Sequence, residues 1–136
     1  MFKKTVFGII LLSCIIGVSV GQIISRRPNI QIVIFSADNC RYCVLLDKYI
    51  LQQPDVESEL NKFAVYHLNI SEAKNNKIRR QWKITSVPTV VAFDLLPLRR
   101  VKILERWQLN GEDNNNYERN KEQFLKFLSK YSPKQA

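Results

Sequence analysis

Cys40 and Cys43 are the residues of this chain whose type and spacing could do chemistry. Side chains three positions apart on a helix share one face, so their sulfurs can meet. A helix start beside Cys40 would supply free backbone N–H groups and partial positive charge. Both favour a thiolate over a thiol. Arg41, between the two cysteines, adds a full positive charge in support of the Cys40 thiolate. A thiolate next to a second thiol is the minimum equipment for disulfide exchange. Two other uses of the pair carry less weight. Structural zinc takes four Cys or His ligands, and only Cys14 and His67 remain in the chain, so no metal is expected. A purely structural disulfide would close a tiny loop and add only about 1–2 kcal/mol.

The elements around the pair must position it. Ile30 to Ser36 is short, continuous and β-branched, the pattern of a buried strand, and it leads directly to Cys40. Arg41 to about Gln52 is amphipathic and predicts a helix. Pro54 interrupts it, and a further helical piece is expected over 55–62. Phe63 to Ile70 predicts a second strand. Ser71 is the expected N-cap of a polar surface helix reaching Lys83. Pro88 to Phe93 predicts a third strand, Leu95 to Leu98 a turn, and Val101 to Trp107 a fourth strand. Residues 110–116 have the composition of a loop. Tyr117 to Tyr131 closes the chain as an amphipathic helix with Phe124, Leu125, Phe127 and Leu128 facing inward. The order β-α-β-α-β-β-α describes an α/β fold, a central mixed sheet flanked by helices.

Met1-Phe2-Lys3-Lys4 followed by the apolar run from Thr5 to Val20 has the form of an export segment. Three fates fit it: cleavage after Gly21, retention as a single-span anchor reaching Ile24, or lipidation at Cys14. The organisation expected is therefore an export or anchor segment over 1–24, a polar linker over 25–28, and one domain over 29–136. Every variant places that domain outside the cytoplasm, where disulfides persist. The expected address is a bacterial periplasm, with the domain tethered to the inner membrane by residues 5–24. The chain has 136 residues, is 46% hydrophobic and carries a formal charge of +9. Its basic residues are scattered and read as a solvated surface. No arginine-rich run or RNA-binding aromatic signature accompanies them, so no nucleic-acid partner is expected. There is no phosphate-cradling glycine loop, no hydrolase triad and no expected cofactor.

Taken together, these residues resemble the thioredoxin family. The strand, the Cys-x-x-Cys at a helix head, Leu68-Asn69-Ile70, and Ile84-Thr85-Ser86-Val87-Pro88-Thr89 are spaced as in thioredoxins. The likeness covers about 29–130. Lys48-Tyr49 followed by Pro54-Asp55-Val56 is similar to the C-terminal periplasmic domain of the membrane thiol–disulfide interchange protein DsbD. The resemblance implies a thioredoxin fold in which Cys40 attacks, Cys43 resolves, and the two alternate between dithiol and a Cys40–Cys43 disulfide. It also implies a cis Pro88 lying against the pair and a Val87 backbone offered to an extended substrate.

Three positions depart from the family pattern. Ile34 stands where many thioredoxins bury an acid, Asn39 where an aromatic is usual, and His67 where a lysine is often found. Proton transfer from Cys43 would then fall to His67, Asp38 or water, although His67 can equally be an ordinary strand residue. The expectation is an exported thiol–disulfide oxidoreductase acting on envelope proteins with thiols or disulfides and fed by a membrane or periplasmic thiol donor. A redox-inert binding module and a periplasmic oxidase or isomerase are the alternatives.

Overall fold

The computed structural model describes residues 28–109 and 116–133. Strand β1 (Ile30–Ser36) leads to helix α1 (Arg41–Leu46), which continues as a π-helical turn (Asp47–Leu51). Helix α2 (Pro54–Leu60), strand β2 (Val65–Asn69), a 3₁₀ turn (Ala73–Asn75) and helix α3 (Asn76–Gln81) follow. Strands β3 (Thr89–Leu95) and β4 (Val101–Gln108) form a hairpin, and helix α4 (Tyr117–Tyr131) completes the order. The sheet runs β2-β1-β3-β4. β1 is parallel to β2 and antiparallel to β3, and β3 is antiparallel to β4.

β1 is a continuous apolar run because both of its faces are covered. Ile32 and Ile34 point into a core shared with Leu46, Ile50, Val56, Phe124 and Leu128, built against α1, α2 and α4. Val33 and Phe35 point the other way, toward Ile84, Val91, Phe93 and Trp82. This alternation is the period-2 rule of a strand acting on a strand with no wet face. On α4 the buried residues Asn120, Phe124, Phe127 and Leu128 fall at helical spacing, and Asn116 caps the helix by accepting the Arg119 N–H at 3.0 Å. Leu125 packs at the edge of the same core.

Several boundaries differ from the sequence reading. The first helix does not run unbroken as an α-helix to Gln52. After Leu46 it widens, with the Gln52 N–H bonding the Asp47 carbonyl and the Gln52 side chain donating to the Asp47 carboxylate at 2.7 Å across the same five residues. Pro54 opens α2 rather than preceding it, because a proline at the first helical position gives up only an N–H that would be unpaired anyway. Helix α2 stops at Leu60. Ser71 is not an N-cap. Its hydroxyl accepts the Asp38 N–H at 2.9 Å, and the helix begins only after the 3₁₀ turn. α3 ends at Gln81 in a Schellman arrangement. Lys83 takes a left-handed φ of 52°, its N–H returns to the Arg80 carbonyl, and the N–H of buried Ile84 returns to the Arg79 carbonyl. That turn aims the chain into the Thr85–Pro88 loop. Between Ala92 and Phe93 the β3–β4 register shifts, opposing Glu105 and then Ile103. The extra residue, Leu104, packs against the helical core.

Residues 1–27 and 110–115 lie outside the described residues, so the expected export segment and most of the expected loop are not addressed by the structure. Among the described residues no helix is long and apolar enough to cross a membrane.

Candidate functional site

The site lies at the end of the sheet where β1 and β2 finish and β3 begins. Ser36 ends β1, and a tight turn through Asn39 delivers Cys40 to the head of α1. Asn39 is left-handed, with φ of 55°, a conformation that asparagine tolerates and a bulky aromatic would not. Cys40 is the N-cap of α1. Its sulfur accepts the Cys43 N–H at 3.1 Å, so sulfur takes the place an oxygen fills in an ordinary cap. Cys40 and Cys43 are joined, with an S–S distance of 2.07 Å and Cα atoms 5.3 Å apart. Both are half-buried, while Arg41, Tyr42 and Val44 beside them are exposed.

The pair opens on a cleft of about 750 Å³. Ile34 from β1, His67 from β2, Pro88 just before β3 and Asp47 from the π turn all line it with the cysteines. Ile34 and His67 are direct register partners across β1 and β2, which puts them on one face. Ile34 is only 4% exposed, so an apolar side chain fills the place beneath the cysteines where the family pattern has an acid. The titratable groups lining the cleft are Arg41, Asp47 and His67. Asp38 is not among them. Its carboxylate accepts from the Asn69 side chain at 2.7 Å, and its backbone is held by Ser71, so it braces the β1–α1 turn against the end of β2.

The Val87–Pro88 bond is cis, and Pro88 is buried in the cleft wall. Side chains clamp this loop from both sides. Thr89 donates its hydroxyl to the Ser86 carbonyl at 2.8 Å, and the Gln108 amide reaches Ser86 Oγ at 2.8 Å and Thr89 Oγ1 at 2.9 Å. Among the described residues no backbone bond engages Val87, since β3 pairing begins at Thr89. Sequence reasoning missed Asp47 and Gln108. Asp47 was findable, because it lies one helical turn after Cys43 on the same face. Gln108 was not, because only the β3–β4 register brings it opposite Thr89.

A half-buried cysteine pair at a helix head, facing a cis-proline loop across the end of a mixed four-stranded sheet, is the arrangement of a thioredoxin-type fold. The chain matches the family of thioredoxin-like domains over residues 22–95, and it belongs to that family. Among solved structures it is similar to a thioredoxin from Thermus thermophilus, with 20% identity, 76% of this chain and 73% of that one covered, and a TM-score of 0.61. It is also similar to a disulphide isomerase from Xylella fastidiosa, with 19% identity, 76% and 79% covered, and a TM-score of 0.54. The C-terminal domain of DsbD from Neisseria meningitidis matches at 18% identity over 68% and 82%, with a TM-score of 0.44. These likenesses are of fold. No curated protein matches the sequence.

Proposed function

We propose that this protein is a thiol–disulfide oxidoreductase that reduces disulfides of envelope proteins from a periplasmic position, tethered by residues 5–24. The observation that supports it best is the Cys40 sulfur at the N-cap of α1, half-exposed and bonded to a backbone N–H, in the cleft that cis-Pro88 also lines. A helix cap that accepts a hydrogen bond holds negative charge on sulfur, which is the reactive state of the nucleophile. The reaction balances within the pair and its partner. In the dithiol form, the Cys40 thiolate attacks one sulfur of a partner disulfide. A Cys40–partner disulfide forms and the partner's other sulfur leaves as a thiolate. Cys43 loses its proton and attacks the Cys40 sulfur, which closes the Cys40–Cys43 bond and expels the second partner thiolate. Two electrons pass to the partner, and a separate thiol donor must return them. Asp47 and His67 line the cleft and are the candidates to take the Cys43 proton. An extended partner segment lies along Val87, whose N–H and carbonyl have no backbone partner among the described residues.

Reduction of a model protein disulfide tests this reading. The wild-type chain is expected to turn over with a dithiol donor, and Cys40→Ala to abolish turnover. Cys43→Ala is expected to hold the mixed disulfide, which identifies the partner after capture from envelope extracts. Equal rates for wild type and Cys40→Ala would remove the proposal. A potential near that of thioredoxin, about −270 mV, agrees with a reductase, whereas one near −120 mV would make the protein an oxidase.

A further inference from the structure

The end of the domain opposite the cysteines carries a second exposed feature. Between β3 and β4 the chain turns through a 3₁₀ turn, Pro97–Arg99, in which Leu98 and Arg99 both take left-handed φ values, 61° and 56°. These two residues hold Leu98 out to solvent at 90% exposure, more than any other large apolar side chain among the described residues. Val101 next to it is 40% exposed. Arg99, Arg100 and Lys102 surround them, and none of the three is in an ion pair among the described residues. The acids nearest in the hairpin are engaged elsewhere. The Asp94 carboxylate accepts the Asn29 N–H at 2.9 Å, and the Glu105 carboxylate holds Lys130 and Tyr131. The tip is therefore apolar at its point and cationic around it, the composition that seats on an anionic lipid surface rather than in a protein core.

Strand direction gives the tip its orientation. β1 begins with Ile30 opposite Asp94 at the turn end of the hairpin and ends with Ser36 near the cysteines. Seven strand residues place the two ends about 20 Å apart. The chain enters the domain at the tip end, where Asn29 is bonded to both Asp94 and Leu95. Upstream of Pro28 the sequence carries Arg26, Arg27 and the apolar run ending at Val20. The segment from Val20 to Pro28 spans at most about 30 Å, so an inserted run keeps this end near the bilayer. We propose that the β3–β4 hairpin tip, with Leu98 at its point and Arg99, Arg100 and Lys102 around it, docks on an anionic bilayer surface and turns the Cys40–Cys43 end away from the membrane. The orientation rests on the tether proposed above and is independent of the redox chemistry.

The test uses the full chain with its disulfide closed and Cys14→Ser. An environment-sensitive fluorophore is placed at Leu98→Cys or, at the cysteine end, at Glu72→Cys. Vesicles are phosphatidylcholine alone or phosphatidylcholine with phosphatidylglycerol. Flotation separates tethering from docking. The expected result is a blue-shifted emission at position 98 on anionic vesicles, with none at position 72. Each cation near an anionic leaflet strengthens attachment about fivefold. Arg100→Glu with Lys102→Glu should therefore cut the preference for anionic over neutral vesicles by about 25-fold or more, while disulfide reduction is unchanged. Lys77→Glu with Lys83→Glu, on α3 and the turn after it, should leave the preference as it was. Three results overturn the proposal: flotation with no shift at position 98, equal loss of preference from both pairs of reversals, or no flotation with either vesicle.

Discussion

Replacing Ile34 with aspartate tests the apolar floor beneath the cysteine pair. Ile34 is 4% exposed and packs in the core with Leu46, Ile50 and Val90. Removing that apolar side chain costs about 3 kcal/mol, within the range for large-to-small changes of a buried isoleucine. The new carboxyl would face the same apolar neighbours, and burial raises its pKa above the unfolded value. A rise of about two units adds roughly 2.7 kcal/mol at neutral pH. The sign follows from which state is charged. The folded protein resists ionising the group and the unfolded chain does not, so stability falls as pH rises from the unfolded pKa toward the folded one. The total near neutrality, about 5–6 kcal/mol, is as large as the whole stability of many domains. Urea unfolding of both proteins at roughly pH 4 and pH 7 measures it. The expected result is a large loss at neutral pH, with about 2–3 kcal/mol recovered on acidification. A loss under about 1 kcal/mol, equal at both pH values, would refute the idea that Ile34 seals the cleft floor.

Other perturbations reach other parts of the molecule. Phe124→Ala should cost about 3–5 kcal/mol by urea unfolding, because the ring is fully buried and lies 4.8 Å from Trp107 and 5.9 Å from Phe127. Hydrogen bonds from Lys130 and then Tyr131 hold Glu105 below the ordinary carboxylate range, so its contribution is present at neutral pH and lost as pH falls through the folded value. Glu105→Gln should therefore cost up to about 1 kcal/mol near pH 7 and progressively less as acid protonates the carboxyl; a cost that does not fall with pH would contradict the assignment. The Glu105 carboxylate raises Lys130, and burial and then Glu105 raise Tyr131, so these contributions fade at alkaline pH. Asp47→Asn and His67→Gln should each slow decay of the mixed disulfide about tenfold and together about 100-fold in single-turnover experiments. Unchanged decay in the double variant would assign the Cys43 proton to water.

Much of this protein is local, and local features can be read along the chain. The apolar run of β1, the two cysteines at spacing three and the amphipathic Tyr117–Tyr131 helix each depend on near neighbours, so pattern alone places them. The misplaced features depend on competition. Ser71 has the right side chain for a cap, but the Asp38 N–H takes its hydroxyl, and that contact spans 33 positions. Asp38 has the right chemistry for a proton acceptor near the cysteines, but Asn69 draws its carboxylate to the loop beside β2. Residue types determined the chemistry available, two thiols beside a helix start with a proline loop downstream, because thiol exchange needs only those groups. Tertiary structure decided what surrounds them. Ile34 and His67 become partners on one face only when β1 pairs with β2, and Gln108 reaches the Ser86–Thr89 loop only when β4 pairs with β3. The orientation of the Leu98 tip was decided in the same way, since only strand direction tells which end of the sheet faces away from the cysteines.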